Sequence, residues 1–382
     1  DQKEHAICIV LSGTGSDGTL GLKAIKAGSG MAMVQQPRSA KYAGMPSSAE
    51  STGMADYVLA PADMPEQLIA YARGPYLNES GRVGDRSAGD RAAVIEAEPM
   101  ARLFQLLRRH TGHDFSGYKV NTIRRRIERR MNIHQITRPE EYVRFLEHNT
   151  HEIELLFKEL LISVTSFFRD PESWEALADG PLPRLMKSIR DPTTNGETTL
   201  RAWTPGCATG EEVYSLAIVL RECSEKLKLR FEYQMFGTDL DSTAIEIARF
   251  GRFPAGLSAD VSPERIDRYF LHDDGTYSVC KEIREMAVFA PQNLIKDPPF
   301  TKLDLITCRN LLIYLGADLQ KQLMPIFHYA LKPGGLLMLG SSETIGDFSD
   351  LFETVDSKWK IYRRKQSSAV HRRNLAREHN HG

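Results

Sequence analysis

The stretch Leu200–Glu212, LRAWTPGCATGEE, constrains this chain more than any other. An apolar, strand-like run (Leu200, Ala202, Trp203) meets a tight turn containing Pro205, Gly206 and Gly210. Two carboxylates follow, Glu211 and Glu212, and helical spacing begins at Val213. Strand, small-residue loop and helix make the first unit of an α/β nucleotide-binding sheet. The glycines let the backbone pass close to a ligand. The acids bear on which ligand that is. A helix N-terminus favours anions, so a pyrophosphate here would meet two negative charges. A ligand with a positive centre and hydroxyl or amine donors suits the segment better, and S-adenosylmethionine, with its sulfonium, α-amino group and ribose, is one. An ordinary strand–turn–helix with a charged cap accounts for the same residues equally well.

The 382 residues give room for two or three domains. A formal net charge of −1 provides no overall basic balance for bulk nucleic-acid binding. No apolar run reaches the roughly 18 residues of a membrane span, and no signal peptide is visible. The five cysteines (Cys8, Cys207, Cys223, Cys280, Cys308) are scattered and lack metal-type pairing. They read as free thiols in a reducing cytoplasm, with no metal site expected. The chain opens at Asp1 directly before a strand-like run, the expectation being a fragment of a longer protein with further domains.

Ala6–Ser12 is an apolar run, read as a buried strand, and GTGSDG (Gly13–Gly18) follows it before a helical pattern from Thr19 to Ala27. The spacing is G-x-G-x-x-G, the dinucleotide fingerprint. Two features oppose that reading. Asp17 would lie beside the pyrophosphate, and the next strand-like run, Met31–Val34, ends in Gln35-Gln36 rather than in an acid that holds a ribose. LSGTGSDGTLGL, VQQPRSAKYAGMPSSA and DYVLAPADMP instead resemble the C-terminal part of the chemotaxis receptor methylesterase (CheB) catalytic domain. The resemblance implies that Asp17 is the carboxylate that orients the histidine of a Ser-His-Asp triad, where a buried acid fixes an imidazole tautomer. The segments that carry the family's serine and histidine are not in this sequence, and Thr14 stands where the family has Met. Only a triad remnant is therefore expected.

Gly74–Glu98, rich in Gly, Ser, Asp and Arg, reads as a linker. From Pro99 the pattern is helical. In Lys119–Met131, Val120, Ile123, Ile127 and Met131 share a face, while Arg124, Arg125, Arg126, Arg129 and Arg130 cover the rest. Five arginines against Glu128 alone are unbalanced for internal ion pairing. They suit docking to an acidic partner surface or, read blandly, a solvated face.

A fourth helix, Glu152–Ile162, runs into SVTSFFRD (Ser163–Asp170). LLISVTSFFRDPESW is similar to the signature that joins the helical N-domain to the catalytic domain of chemotaxis receptor methyltransferases, the CheR family. The resemblance continues through TPGCATGEEVYS, YQMFGTDLD, PQNL and CRNLLIYL. It implies contacts to S-adenosylmethionine from Ser163 (where the family has Asn), Thr165, Arg169, Glu212, Asp239, Asn293, Leu294, Asn310 and Leu311. Asp239 would accept the ribose hydroxyls, Asn293 would border the adenine edge, and Arg169 and Tyr314 would border the substrate. A core aromatic with a satisfied hydroxyl is the alternative for Tyr314.

The resulting expectation is an α/β, Rossmann-like S-adenosylmethionine-dependent methyltransferase domain (171–365) with a small antiparallel β insert. An all-helical domain (99–170), a linker (74–98) and a partial methylesterase domain (1–73) precede it, and a polar tail (366–382) follows. The implied reaction is methyl transfer to glutamate carboxylates of chemoreceptor cytoplasmic domains with acidic surfaces. A glutamate is already ionised at neutral pH, so the site must align and exclude water rather than supply a base. A cofactor-binding sensor or a residual esterase are the alternatives.

Overall fold

A computed structural model describes residues 5–74, 76, 97–161, 164–190, 198–273 and 275–366. Most of the expected linker, the C-terminal tail and Ser163 lie outside the described residues. The chain divides into two units, residues 1–164 with 253–257 and 272–277, and the remainder.

In the first unit the strands β1 (Ile7–Val10), β2 (Met31–Gln35) and β3 (Tyr57–Leu59) pair in parallel in the order β1-β2-β3. Helices α1 (Thr19–Ala27), α2 (Gly44–Ser51) and α3 (Met64–Arg73) connect and follow them. Every residue of β2, MAMVQ, is buried, as expected of a central parallel strand covered on both faces. Four helices complete the unit: α4 (Ala97–Thr111), α5 (Val120–Ile133), α6 (Pro139–Glu147) and α7 (Thr150–Leu161). Their apolar faces meet in one core that includes Leu103, Leu107, Phe115, Ile123, Ile127, Tyr142 and Leu156.

The arginine face of α5 corrects the docking expectation. Arg126, Arg129 and Arg130 are buried, Arg129 completely. Arg129 pairs with Asp56, just before β3, and its Nη1 lies 2.7 Å from Glu159 Oε1 on α7. Lys26 Nζ reaches the same two acids at 2.8 and 3.3 Å. Arg130 pairs with Glu152, which also accepts from Tyr142 at 2.8 Å. Arg124 is half-buried and Arg125 is exposed. The charges that balance α5 come from elements remote in sequence, so the helix alone looked unbalanced. Ile133 of α5 further packs with Met31, Met33, Met64 and Tyr71. The methylesterase-like segment and the helical segment thus share a core within one unit.

Asp17 is exposed in the turn before α1. The triad reading has this carboxylate buried against a histidine, and here it faces solvent.

The second unit is built on a seven-stranded sheet in the order β12-β13-β11-β10-β4-β5-β9. Its strands are β4 (Thr198–Pro205), β5 (Phe231–Asp239), β9 (Ala287–Pro291), β10 (Leu303–Cys308), β11 (Leu331–Leu339), β12 (Phe352–Asp356) and β13 (Ile361–Arg364). The five from β11 to β9 run parallel, while β13 pairs antiparallel to both β11 and β12. Helices α8 (Pro171–Asp179), α9 (Pro181–Ile189), α10 (Glu211–Leu227), α11 (Ser242–Phe250), α12 (Pro263–Tyr269), α13 (Lys281–Arg284) and α14 (Ala317–Ala330) connect the strands. The expected insert is a separate three-stranded sheet, order β6-β8-β7, of β6 (Arg252–Pro254), β7 (Phe270–Asp273) and β8 (Thr276–Val279), whose residues 253–254, 272–273 and 276–277 are counted with the first unit. It starts earlier than the sequence suggested, and Ala287–Pro291 belongs to the main sheet.

From β4 the chain builds outward through β5 to β9, then returns to the other side of β4 with β10. The boundary between β4 and β10 is the switch point of the sheet. Ligands of open α/β sheets bind there, at the carboxyl ends of the strands.

Candidate functional site

The loop after β4 closes over the switch point. Gly206 and Gly210 have φ of +69° and +94°. A Cβ on Gly206 would stand 3.0 Å from the Leu311 side chain, and one on Gly210 would stand 2.8 Å from Ala248 Cβ. Both positions therefore need glycine for conformation and for space.

The two acids after the loop have different fates. Glu211 is buried, its Oε2 accepting from Thr209 Oγ1 at 2.6 Å and its carbonyl from Ser215 Oγ at 2.7 Å. Glu212 is the unsatisfied one: its Oε1 is shut off from solvent without a hydrogen-bond partner among the described residues. Burial raises its carboxyl, Arg309 and a hydrogen bond from Thr307 oppose that, and the result is a pKa of about 7. Thr307 Oγ1 in turn lies 2.8 Å from Thr204 Oγ1, linking the ends of β10 and β4.

Arg309, the first residue past β10, is the cationic counterpart. Its Nη2 donates to the Arg169 carbonyl at 2.7 Å and to Asp170 Oδ2 at 2.9 Å. The guanidinium carbon lies 5.1 Å from the centre of the Trp174 ring, a cation–π distance. Nε and Nη1 are buried without hydrogen-bond partners among the described residues. A carboxylate acceptor and two guanidinium donors are thus left unmatched close to one another. Each such group costs about 1–3 kcal/mol, and a zwitterionic ligand group would relieve both.

The segment 165–170 is held against this place. Phe167 and Phe168 are buried, as the sequence implies. The Phe168 N–H donates to Ser215 Oγ at 2.9 Å, and the Arg265 guanidinium lies 4.1 Å from the centre of its ring. The Arg169 carbonyl also accepts from Trp174 Nε1 at 3.1 Å. Thr165 and Arg169 are half-buried, and Arg169 is close enough to Glu212 to favour its ionised form. Nine non-glycine residues have positive φ among those described, and four lie in these loops: Phe168 (+47°), Asp170 (+54°), Ala208 (+46°) and Asn310 (+58°). Left-handed backbone is costly at Phe168 and Ala208, whereas Asp and Asn tolerate it, and such strain persists where surroundings over-determine it.

Asp239 ends β5, its Oδ2 accepting from Ala208 N–H at 2.8 Å and its Oδ1 from Asp241 N–H at 3.0 Å. It braces the β4 loop and keeps lone pairs for ligand hydroxyls. Asp241 accepts from the N–H groups of Thr243 and Ala244 and is the N-cap of α11. Asn293 and Leu294 are half-buried beyond β9. Asn293 Oδ1 is engaged by the N–H groups of Ile295 and Lys296 at 3.0 and 3.2 Å, so this oxygen caps a turn. Asn310 and Leu311 follow Arg309 at the switch point, and Tyr314 lies half-buried in the short turn Leu312–Tyr314.

Glu343 ties these loops together and was not singled out in the sequence. It is 4% exposed and accepts from the N–H groups of Gly340 (2.6 Å), Asn310 (3.0 Å) and Ile313 (3.2 Å). Arg309 does carry a signal in the sequence, as a lone arginine straight after the wholly buried LDLITC. Cys207 and Cys308 are buried, which pushes both thiols well up and leaves them inert.

The family model for the CheR methyltransferase SAM binding domain matches residues 163–361. The chain belongs to the CheR methyltransferase family. The model for the CheR all-alpha domain matches residues 98–161, and that for CheB methylesterase residues 1–68. An uncharacterized 104.1 kDa protein of Rhodobacter capsulatus is 38% identical over 380 residues, 96% of this chain and 39% of that protein. The chain therefore spans about two fifths of that relative's length. Chemotaxis protein methyltransferase 1 of Pseudomonas aeruginosa is 33% identical, over 56% of this chain and 77% of its own. The chemotaxis protein methyltransferase of Borreliella burgdorferi is 30% identical, over 66% of this chain and 89% of its own. Family membership makes the second unit a S-adenosylmethionine-dependent methyltransferase domain. Its residues fit that cofactor on an observation independent of the family: Glu212 and Arg309 leave one buried acceptor and two buried donors unmatched where a ligand bearing an ammonium and a carboxylate would lie.

Proposed function

We propose that this CheR-family chain methylates glutamate carboxylates of chemoreceptor cytoplasmic domains, giving methyl esters, and works in the cytoplasm. The observation that carries the reading is the buried Glu212–Arg309 pair at the switch point, unsatisfied among the described residues. Glu212 would hold the cofactor's ammonium, Asp239 its ribose hydroxyls, and Asn310 and Leu311 its flank. Bound there, S-adenosylmethionine supplies a methyl group on a sulfonium centre to a carboxylate oxygen already ionised at neutral pH.

The chain's own task is alignment and exclusion of water. Arg169 sits on the strained 165–170 segment beside Glu212 and would orient the incoming carboxylate through charge-assisted hydrogen bonds. Tyr314 would border the same carboxylate. Any use of the α5 arginines to dock an acidic receptor surface falls to the exposed Arg125, since Arg126, Arg129 and Arg130 are enclosed. No helix among the described residues is long and apolar enough to cross a membrane, so a membrane receptor is met from outside the bilayer.

The test is transfer of a tritiated methyl group to receptor-containing membranes, followed by alkaline release of volatile label, which separates an ester from an amide or ether. Base-labile label on receptor glutamates, abolished by Arg169→Ala, is the expected result. Cofactor binding with no transfer to any receptor would overturn it in favour of a sensor.

A further inference from the structure

Beyond β9, the chain turns through Pro291-Gln292-Asn293-Leu294. Family resemblance directs attention to Asn293 as the residue at the adenine edge. Yet Asn293 Oδ1 already accepts two backbone N–H groups, and the Asn293 N–H donates to Asp297 Oδ2 at 2.7 Å. The neighbouring residue is differently placed. The Gln292 N–H donates to the Asp239 carbonyl at 2.9 Å, which fixes it beside the end of β5. Its Nε2 donates to the Pro298 carbonyl at 2.9 Å, which also settles which way round the amide lies. Its Oε1 is buried with no hydrogen-bond partner among the described residues.

Along the carboxyl edge of the sheet, Glu212 and Arg309 mark the switch point, Asp239 ends the next strand out, and Gln292 follows the strand beyond. Strands lie about 4.8 Å apart, so β4 to β9 spans about 10 Å, the reach of a nucleoside laid across the strand ends. The acceptor left unmatched at the far end calls for an N–H donor on the base. We propose that Gln292 is the residue that selects adenine, its Oε1 accepting from the exocyclic amine. The proposal rests on the S-adenosylmethionine reading of the site and adds the source of its base specificity. Replacing the amine by a carbonyl, as in hypoxanthine, sets acceptor against acceptor in a buried place, and sites built around one hydrogen bond discriminate strongly against its loss.

Calorimetric titration with S-adenosylhomocysteine and S-inosylhomocysteine tests this without any turnover. Wild type should prefer the adenine compound by about 10–100-fold. Gln292→Met should bind both within about threefold of each other. Gln292→Glu, which keeps an acceptor and gives up the donor to Pro298, should retain the preference and so guards against a loop that has simply collapsed. Equal discrimination in wild type and Gln292→Met would overturn the proposal while leaving the cofactor reading intact. Failure of wild type to bind S-adenosylhomocysteine at all would overturn both.

Discussion

Lowering the pH should release the cofactor through Glu212. Its carboxyl is pushed up to about 7 by burial, against the pull of Arg309 and Thr307. A ligand ammonium interacts favourably with the ionised form and drives its proton off. Affinity therefore rises as pH rises through about 7 and levels off above it. With a pKa of about 7, about 9% of the free protein is ionised at pH 6 and about 91% at pH 8, so the competent fraction changes about tenfold, or about 1.4 kcal/mol. Calorimetry with S-adenosylhomocysteine, which keeps the ammonium but lacks the sulfonium, should give a Kd about ten times lower at pH 8 than at pH 6. Glu212→Gln should bind weakly and flatten the profile. The same variant carries a stability signature with its own sign. A carboxyl whose pKa is raised on folding costs stability as pH climbs from the unfolded value towards the folded one. Ligand-free Glu212→Gln should therefore be more stable than wild type at pH 8, by about 1–3 kcal/mol, and match it near pH 4. A wild-type Kd that does not move between pH 6 and pH 8, or a Glu212→Gln profile with the same slope, would refute the assignment.

Arg129→Ala should destabilise the first unit by about 3–5 kcal/mol, because it leaves two buried acids, Asp56 and Glu159, to share Lys26 alone; urea denaturation measures it, and a loss under about 1 kcal/mol would count against the buried network. Burial raises Glu152, but hydrogen bonds from His134 and Arg130 hold it down at about 2. Folding stability should therefore drop by a few kcal/mol as pH falls from about 4.5 to about 2, and melting Glu152→Gln over that range should show a shallower fall. Glu343→Ala should weaken S-adenosylhomocysteine binding by about tenfold or more through the loop that carries Asn310, while Glu343→Gln, which keeps an acceptor, recovers part of the loss. Identical Kd values for the two variants would show that the carboxylate does not position that loop.

The α/β architecture and the switch-point loop were legible because local chemistry carries them. A glycine-rich turn between an apolar run and a helix leaves few options, and β2 and β10 are mostly apolar and buried throughout because both their faces are covered. Glu212 was readable from its place after the loop, whereas its unsatisfied state depends on Arg309, nearly a hundred residues on. The arginines of α5 misled for a related reason. Periodicity reports which side of a helix is charged and does not report what faces that side, and here Asp56 and Glu159 do. Asn293 was legible as a motif position, but its carboxamide oxygen is engaged in a turn whose closing N–H groups carry no side-chain signature. Glu343 was invisible for the same reason, since all three of its donors are backbone N–H groups.

The bond between Asp56 and Arg129 crosses a boundary that family resemblance would draw near residue 98. Lys26 and Asp56 from the methylesterase-like segment interlock with Arg129 and Glu159 from the helical segment in one buried network of four charges. Recombination in nature, or a swap in the laboratory, cannot exchange the methylesterase-like segment for a homologous one by matching its ends. An incoming segment without an acid at the place of Asp56 leaves the buried Arg129 with Glu159 as its remaining acid. An exchange at this junction therefore has to keep the balance of two cations and two acids, whichever side supplies them.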